Sequence, residues 1–165
     1  MQIGVLTVSD RGAKGIYEDR SGPLLAEIVQ SQTPWQVSHR AVVPDEHSEI
    51  AQKLIDWCNA GVTLILTSGG TGFSPRDVTP EATKSVIERE TPGIAEALRA
   101  ESLKITRHAM LSRGVAGIRG RTLIINLPGN PKAVRENMAV LLPILPHAVE
   151  LLTDAPGSEH QHRQV

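Results

Sequence analysis

The chain has 165 residues, of which 40% are hydrophobic and 2% aromatic, with 17 basic and 18 acidic side chains. This length and apolar content predict one globular domain, over residues 1–155, that buries a core of its own. The net charge of −1 excludes a general attraction to nucleic acid, and the scarcity of aromatic rings argues against stacking of single-stranded bases.

The first residues form a β-rich run instead of a signal peptide, and no stretch of about 18 apolar residues is present to span a membrane. We therefore expect no membrane association and a cytoplasmic location. Cys58 is the single cysteine, which excludes an internal disulfide and a cysteine-based zinc site. It lies beside Trp57 in a helical pattern, which favours a buried structural thiol over a nucleophile.

Apolar β-rich runs alternate with helical patterns along the chain. The predicted elements, in chain order, are a strand at residues 3–8, a helix at 21–30, a strand at 37–43, a helix at 46–59, a strand at 62–67, helices at 80–89 and 93–105, a strand at 122–127 and a long helix at 131–152. This order predicts an α/β fold, a three-layer sandwich with a mostly parallel central sheet and helices on both faces.

The last residues of the chain, 156–165, are polar, and we predict a flexible C-terminal tail there. Its two histidines, His160 and His162, are interpreted as solvated side chains and not as metal ligands. The globular domain is therefore expected to end near residue 155.

Three glycines in four positions, Gly69, Gly70 and Gly72, follow the third predicted strand. Such a turn lets backbone N–H groups come close to phosphate oxygens, although it can equally be only a tight strand-to-helix connection. The standard nucleotide motifs are excluded. No Gly-Lys-Ser/Thr sequence ends the turn, and Pro75 stands where a dinucleotide fingerprint needs Gly or Ala.

A helix start follows this turn at Thr79, Pro80 and Glu81. Thr79 supplies a capping hydroxyl, Pro80 suits the first helical position, and Glu81 places a negative charge in the first turn. Asp77 is therefore not needed as the cap.

Polar or turn-forming residues follow each of the four predicted strands. In an open α/β sheet, ligands bind beyond the carboxyl ends of the strands. If the strands are parallel, these loops converge and bring Asp10, Asp45 and Asp77 toward the glycine turn. The candidate residues for binding a nucleotide or its phosphates are Ser9, Asp10, Ser68, Gly69, Gly70, Thr71, Gly72, Pro128, Gly129 and Asn130.

Carboxylates beside a phosphate-binding turn repel the ligand unless a cation lies between them. A hard divalent cation is the expected bridge among Asp10, Asp45 and Asp77, and Mg²⁺ suits this edge because it is typically held by one or two carboxylates together with substrate phosphates and water. Arg11 and Arg76 can add positive charge. Asp45 can alternatively cap the helix that follows it, and the two roles can coexist. Asp10 can simply satisfy its own turn.

Two polar side chains in the second half of the chain lie in less polar surroundings. Asn126 is the lone amide in an apolar strand, so it either binds the backbone of a turn or faces a ligand. Ser102 lies late in a predicted helix, where a solvated or back-bonded hydroxyl is the simpler interpretation.

Four motifs together carry a resemblance to a known family. They are Gly4 to Asp10, Val43-Pro44-Asp45-Glu46, Gly69 to Thr83 with its Pro75-Arg76-Asp77 run, and Leu127-Pro128-Gly129-Asn130-Pro131. The chain resembles the molybdopterin adenylyltransferases of molybdenum cofactor biosynthesis, which include bacterial MogA-type proteins, the plant G domain and the G domain of gephyrin.

The resemblance implies a Mg²⁺-dependent homotrimer that joins the AMP part of ATP to the terminal phosphate of molybdopterin and releases pyrophosphate. It also implies hand-over of the product to a molybdenum insertase. By resemblance, Asp77 is the main catalytic carboxylate and Asp45 a second one that acts on the metal or the nucleotide. Ser102 and Asn126 correspond to positions on the pterin side.

Related proteins supply the alternatives. Molybdenum insertases carry a Gly-Gly-x-Ser-x-Gly pattern, whereas Thr71 and Gly72 follow Gly70 in this chain. MoaB proteins are closer, but some of them lack the acid after the second strand and the Pro-Arg-Asp run, and this chain has both. A non-catalytic molybdopterin-binding or scaffold protein of the same pathway is the alternative to the transferase, and a nucleotide-binding structural trimer is the third interpretation.

Overall fold

A six-stranded mixed sheet forms the centre of the structure, a computed structural model that describes residues 1–153. Its strands are β1 (Gln2–Val8), β2 (Gln36–Val43), β3 (Leu64–Ser68), β4 (Arg89–Glu90), β5 (Ala116–Arg119) and β6 (Thr122–Leu127). They lie in the order β2-β1-β3-β6-β5-β4, in which β2, β1, β3 and β6 are parallel and β5 runs antiparallel to both of its neighbours. The predicted tail, with His160 and His162, lies outside the described residues.

Helices cover both faces of this sheet. Along the chain they are α1 (Asp10–Ala13), α2 (Ser21–Gln32), α3 (His47–Asn59), α4 (Thr79–Val86), α5 (Pro92–Leu103), a 3-10 helix (Arg107–Leu111), α6 (Pro131–Leu141) and α7 (Leu145–Thr153). One apolar cluster joins the sheet to α2, α5, α6 and α7, and a second joins it to α3 and α4. The predicted three-layer sandwich is confirmed. Within residues 1–153, each helix is too short or too polar to cross a membrane.

Side-chain alternation along the central strands divides the core between the two faces. In β1, Ile3 and Val5 belong to the cluster with α2 and α6, whereas Leu6 belongs to the cluster with α3 and α4. β3 and β6 pair in parallel from Leu64 opposite Leu123, so their side chains alternate in step. Because both faces of these strands are buried, the runs at residues 64–66 and 123–125 are continuously apolar.

The segment between α4 and β6 contains strands that the sequence pattern did not predict. The helix predicted over residues 80–89 ends at Val86, and β4 and β5 extend the sheet beyond β6. Gly117 of β5 is crowded, because a Cβ there would lie 2.5 Å from Ile87 Cδ1 and 2.8 Å from the Arg89 carbonyl oxygen. A glycine-containing strand of four residues carries too little apolar pattern to be recognised.

The predicted single helix over residues 131–152 is wrong, because two helices, α6 and α7, occupy this segment. Pro143 lies between them; its nitrogen carries no hydrogen for the helical bond, and its ring collides with the preceding turn. The Ile144 N–H donates instead to the Leu141 carbonyl at 3.0 Å. Leu145 joins the same core cluster as Leu141, so the apolar spacing continues through the break and conceals it.

We expect Gly4→Ala to destabilise the fold, because a Cβ at Gly4 would lie 2.6 Å from an indole carbon of Trp57. Adding a methyl group to a filled core lowers the free energy of unfolding by about 1–3 kcal/mol, which urea denaturation measures. Gly93→Ala is the matched control, because its Cβ position has no neighbour within 4 Å outside its own helix backbone. We expect this control to be neutral or stabilising by up to about 1 kcal/mol. Equal unfolding free energies for the two variants would contradict the close packing of Trp57 on β1.

Candidate functional site

Gly69 directly follows β3 and contacts the ends of β1 and β6. Its N–H donates to the Leu127 carbonyl at the end of β6 (3.1 Å), and Thr79 Oγ1 donates to its carbonyl at 2.9 Å. Gly69 has a φ of 102°, which favours glycine, and a Cβ there would collide with the Val8 carbonyl at the end of β1. A Cβ at Gly129 would lie 3.3 Å from the Gly69 Cα. The turns that follow β3 and β6 are therefore in contact, as the predicted convergence requires.

The start of α4 differs from its prediction in one detail. The Thr79 hydroxyl donates to Gly69 and does not cap the helix; Val78 is the N-cap, without a side-chain cap bond. Pro80 and Glu81 lie in the first turn as predicted. The hydroxyl that was expected to cap α4 fixes the glycine turn to this helix instead.

Only part of the glycine turn offers free N–H groups. Gly69 donates to Leu127, and the Gly72 N–H donates to Asp77 Oδ2 at 3.0 Å. In the part of the chain that the structure describes, the N–H groups of Gly70 and Thr71 donate to no protein acceptor. An anion at this turn would therefore meet the N–H groups of Gly70 and Thr71.

Asp10 and Asp45 are joined by a reciprocal pair of hydrogen bonds. The Asp10 N–H donates to Asp45 Oδ2 at 2.8 Å, and the Asp45 N–H donates to Asp10 Oδ1 at 3.1 Å. These bonds hold the loop after β1 against the loop after β2. The alternative in which Asp45 caps α3 is wrong, because Glu46 occupies the N-cap position.

Arg76 lies against one member of this acidic pair. Its Nε and Nη2 donate to Asp10 Oδ2 and Oδ1 at 3.0 and 2.9 Å, and Nη2 also lies 2.8 Å from Glu46 Oε1. The guanidinium lowers the pKa of Asp10, and these carboxylates raise the pKa of Arg76. The predicted charge compensation by Arg76 is present at Asp10. Arg11 instead lies over the ring of Tyr17, with its guanidinium carbon 5.2 Å from the ring centroid.

Asp45 is the less compensated acid of the pair. Burial raises its pKa above the ordinary value of 3.8, and the negative charges of Asp10 and Asp77 raise it further. Its Oδ1 lies beside Gly70, since a Cβ on that glycine would be 2.9 Å away. Within residues 1–153, no group donates a hydrogen bond to this oxygen. A cation bound here would relieve the electrostatic cost of ionising Asp45.

Asp77 is held by the loop that it belongs to. Its Oδ2 accepts from the N–H groups of Gly72 (3.0 Å) and Ser74 (3.3 Å), and its own N–H donates to the Ser74 carbonyl at 2.9 Å. Its Oδ1 accepts no hydrogen bond from the described residues. The carboxylate is thus fixed on one side and available on the other.

Asp45 and Asp77 fit a metal that is shared with a substrate. Among residues 1–153, no group of three or more His, Cys, Asp and Glu side chains is arranged to hold a metal ion by itself. Each of the two carboxylates nevertheless keeps one oxygen without a protein donor. The free Asp45 oxygen lies beside Gly70, and the Asp77 carboxylate lies beside Gly72. This matches the way in which Mg²⁺ is bound by few carboxylates and by substrate phosphates.

A cavity of about 280 Å³ opens on one side of the glycine turn. It is called the larger cavity here, because a second one beside the turn measures about 160 Å³. Its apolar walls are formed by Ala95, Leu98, Ala109, Leu111 and Ala133. Its polar groups come from Thr71, Arg99, Ser102, His108, Asn126, Glu136 and Asn137. Its volume is close to the lower end of the range, roughly 300–1000 Å³, that is typical of small-molecule sites. An apolar chamber with a few polar side chains suits a flat heterocyclic ligand.

A smaller cavity of about 160 Å³ lies next to the glycine turn. Its lining includes Ser9, Asp19, Ser21, Ser68 and Gly129. Of the predicted nucleotide-binding residues, Ser9, Ser68 and Gly129 line this smaller cavity. Thr71, Gly72 and Pro128 of the same predicted set line the larger cavity instead, together with Ser102 and Asn126.

Asn126 contributes to the wall of the larger cavity, but its amide is bonded within the protein. Its Nδ2 donates to the hydroxyls of Thr67 (3.0 Å) and Thr83 (2.9 Å), and its Oδ1 accepts from the Val115 N–H at 3.2 Å. Ser102 is less constrained, since its hydroxyl accepts one bond, from Asn137 Nδ2 at 3.2 Å. Ser102 is thus the more accessible of the two predicted pterin-binding residues.

Three predicted phosphate-binding side chains form bonds that build the loops. Ser9 Oγ accepts from the Gly12 N–H at the start of α1, and Asn130 Oδ1 accepts from the Lys132 N–H at the start of α6. Ser68 Oγ donates to the Pro128 carbonyl at 3.0 Å. Ser9 and Asn130 use only acceptor oxygens in these bonds, so the Ser9 hydroxyl and the Asn130 Nδ2 group could still donate to a phosphate, whereas the Ser68 hydroxyl already donates to Pro128.

Three charged residues of the site were missed by the sequence analysis. Asp19 accepts from Thr7 Oγ1 at 2.7 Å in the smaller cavity, and Arg99 lines the larger one while its Nη1 donates to the Gly114 carbonyl at 2.8 Å. Arg113 binds the carbonyls of the glycine turn. All three occur in segments whose charges resemble those of an ordinary solvated surface, so no local motif distinguishes them.

The sequence matches the family described as "Probable molybdopterin binding domain" over residues 4–147. The chain belongs to this family. The resemblance that the motifs indicated is thereby confirmed, and the matched range contains the glycine turn, the three acids and both cavities.

Curated relatives and solved structures agree with this membership. A molybdopterin adenylyltransferase of Helicobacter pylori is 44% identical over 155 residues, which cover 92% of this chain and 88% of the relative. Gephyrin of Dictyostelium discoideum is 49% identical over 94% of the chain, and the chain spans only 23% of that longer protein. The molybdopterin biosynthesis enzyme MoaB from Thermus thermophilus superposes with a TM-score of 0.88 at 49% identity, covering 94% of this chain and 98% of MoaB.

We expect Asp45→Asn to stabilise the metal-free fold at pH 7 and to have little effect at pH 3. The raised pKa of Asp45 means that its protonated form stabilises the folded state. This contribution is complete below pH 3.8 and is lost as the pH rises through the folded-state pKa. Thermal unfolding in EDTA at both pH values measures the difference.

Glu96→Gln is the control for this comparison, because it removes the same charge from an exposed position of α5. We expect it to leave stability unchanged at pH 7. A loss of stability in Asp45→Asn that is larger at pH 7 than at pH 3 would show that the Asp45 carboxylate is already well compensated without a metal.

Proposed function

We propose that this protein transfers the AMP part of ATP to the terminal phosphate of molybdopterin, with release of pyrophosphate, in molybdenum cofactor biosynthesis. The observation that carries the proposal is the glycine turn, which has Asp45 and Asp77 beside it and the larger cavity at Thr71 and Gly72, while a second cavity reaches Ser68 and Gly129 next to the turn. A transfer between two substrates needs two neighbouring sites with their reacting phosphates at the junction. The activity named for the Helicobacter pylori relative supports the same reaction.

The larger cavity is the proposed pterin site. Its apolar walls can contact the faces of a flat ring system, and its polar groups at Ser102 and Asn137 can bind ring or phosphate atoms. Arg99 adds the positive charge that a pterin phosphate requires. Asn126 remains a proposed pterin-side residue, where its contribution is to hold Thr67, Thr83 and the wall of the cavity in place.

The nucleotide is proposed to lie across the turns after β1, β3 and β6. This region contains the predicted residues Ser9, Asp10, Ser68, Gly69, Gly70, Thr71, Gly72, Pro128, Gly129 and Asn130. The free N–H groups of Gly70 and Thr71 would bind phosphate oxygens, and Asp45 and Asp77 would hold Mg²⁺. When bound there, the ion would neutralise negative charge on the phosphates.

In the proposed reaction, an oxygen of the pterin phosphate attacks the α-phosphorus of ATP. A new P–O bond forms, the bond from that phosphorus to the oxygen bridging to the β-phosphate breaks, and pyrophosphate leaves with the bonding electrons. The attacking phosphate is already ionised at neutral pH, so no strong general base is needed. The chain contributes mainly by positioning the two phosphates and by supplying N–H groups to the developing charge.

Release of pyrophosphate from ATP on addition of molybdopterin and Mg²⁺ tests this function. The alternative is a non-catalytic molybdopterin-binding or scaffold protein of the same pathway. It predicts saturable pterin binding with no pyrophosphate release. A structural nucleotide-binding trimer predicts no pterin affinity at all.

Two further proposals follow from the resemblance: a homotrimeric assembly and hand-over of the product to a molybdenum insertase. The cytoplasmic location is proposed from the sequence pattern of the chain. Exposed apolar side chains of the 3-10 helix, Met110 and Leu111, are compatible with burial in an assembly.

We expect Asp77→Asn to lower turnover by about 100-fold or more, the scale of losing one preorganised electrostatic group. The amide is nearly the same size and can still accept from Gly72 and Ser74, so the fold and the pterin affinity are expected to stay close to those of the wild type. Steady-state pyrophosphate release and pterin titration measure the two quantities. An equal loss of pterin affinity would instead make Asp77 a pterin ligand.

We expect Ser102→Ala to weaken molybdopterin binding about 10-fold to 150-fold, which corresponds to roughly 1.5–3 kcal/mol for one hydrogen bond to a charged group. Asp45→Asn is expected to raise the Mg²⁺ requirement while the pterin affinity stays largely intact. Ser85→Ala is the control, because the Ser85 hydroxyl bonds only to the Ala82 carbonyl of its own helix. Fluorescence titration measures the molybdopterin affinity of each variant. If Asp45→Asn loses this affinity and Ser102→Ala keeps it, the pterin and nucleotide sides are assigned the wrong way round.

A further inference from the structure

Arg113 donates hydrogen bonds to the backbone carbonyl groups of the loop that carries Asp77. It lies between the 3-10 helix and β5, and its backbone N–H donates to the Thr71 carbonyl at 2.9 Å. Its Nε donates to the Gly72 carbonyl at 2.7 Å and its Nη2 to the Asp77 carbonyl at 2.5 Å, while Nη1 pairs with Glu81. One residue therefore binds three carbonyls and one carboxylate within residues 71–81.

The planarity of the peptide bond connects these contacts to the Asp77 carboxylate. In a trans peptide the carbonyl oxygen and the following N–H point in opposite directions. The peptide that joins Thr71 to Gly72 is bound by the Arg113 N–H at its carbonyl and by Asp77 Oδ2 at its N–H. The Asp77 carbonyl is bound by the Arg113 side chain as well. Arg113 thus restrains the backbone of Asp77 and the N–H group that holds its carboxylate.

We propose that Arg113 is a positioning residue for the transfer reaction and fixes the Asp77 carboxylate through the backbone of residues 71–77. This inference rests on the proposed function. The neighbours of Arg113 in the chain, Ser112 and Gly114, line the larger cavity. The same short segment therefore forms part of the proposed pterin site and braces the loop on the nucleotide side.

The guanidinium group is needed for this arrangement. Its planar fork directs separate N–H groups to Gly72, Asp77 and Glu81, whereas a lysine ammonium presents one compact charge on a flexible stem. Its side chain is 33% exposed, so the contacts with the loop are partly shielded from water. Arg113→Lys is therefore expected to keep the charge and lose the geometry.

The first experiment measures activity and binding in Arg113→Lys and Arg113→Ala. Loss of a residue that orients a metal-binding carboxylate typically costs about 10-fold to 100-fold in activity or metal affinity. We expect kcat to fall by about that factor in Arg113→Ala and by less in Arg113→Lys, with a raised Mg²⁺ requirement and an unchanged Kd for molybdopterin. Arg40→Ala is the control, because the Arg40 side chain is exposed on β2 and makes no hydrogen bond or ion pair within residues 1–153. This variant should match the wild type.

A double-mutant cycle separates positioning from a general structural role. If Arg113 acts through Asp77, Arg113→Ala should reduce kcat little further in the Asp77→Asn background. The same fold reduction of kcat in both backgrounds would overturn the proposal. The cycle is measured on variants whose thermal unfolding is two-state, and Arg113→Lys replaces Arg113→Ala in the cycle if the alanine variant is unfolded.

Amide hydrogen exchange gives a readout that does not depend on activity. The N–H groups of Gly72 and Ser74, which donate to Asp77 Oδ2, should exchange about 10-fold or more faster in Arg113→Lys than in Arg40→Ala. Unchanged exchange at both amides would overturn the proposal even if activity falls. Absence of pyrophosphate release from the wild type would refute the proposed function, whereas an active wild type with a fully active Arg113→Ala would refute only the role of Arg113.

Discussion

The arrangement of the site depends on the close packing of backbone around Gly69. This residue donates to the end of β6, accepts from α4 and lies against the end of β1, with no room for a side chain. The left-handed conformation of its backbone turns the chain away from the sheet at the point where three strands end. The loops after these strands can approach one another only because glycine occupies this position and position 129. A Cβ at position 69 would collide with the Val8 carbonyl, and one at position 129 would press on the Gly69 Cα.

The second constraint is an unequal distribution of charge among the acids. Arg76 forms an ion pair with Asp10 and compensates its charge. The backbone N–H groups of Asp10 and Asp45 each donate to the carboxylate of the other residue, so the two loops are held together although both carry a negative charge. Asp45 keeps a free oxygen and a raised pKa beside the glycine turn. Unfavourable local electrostatics of this kind are characteristic of functional sites. Here they are consistent with a cation that arrives together with a phosphorylated substrate.

Several polar side chains near the cavities form hydrogen bonds within the protein and stabilise the loops around the site. Asn126 unites three elements, since it binds Thr67 of β3, Thr83 of α4 and the backbone before β5. Arg113 performs a comparable task for the loop that carries Asp77. A rigid shell of this type keeps a small set of groups at fixed positions beside the larger cavity.

The sequence by itself determined the order of the four parallel strands and of the main helices between them, the mostly parallel sheet, the family and the loops that converge beyond the strand ends, because these depend on local periodicity and on short motifs. It did not show the break at Pro143 or the strands β4 and β5, because apolar spacing continues through the first and the others are stabilised by pairing with distant residues. The partners of Asp10, Asp45 and Arg113 were decided only by the tertiary structure. Each of these contacts joins residues from separate loops, and their geometry follows from how the strand ends come together, which no local pattern encodes.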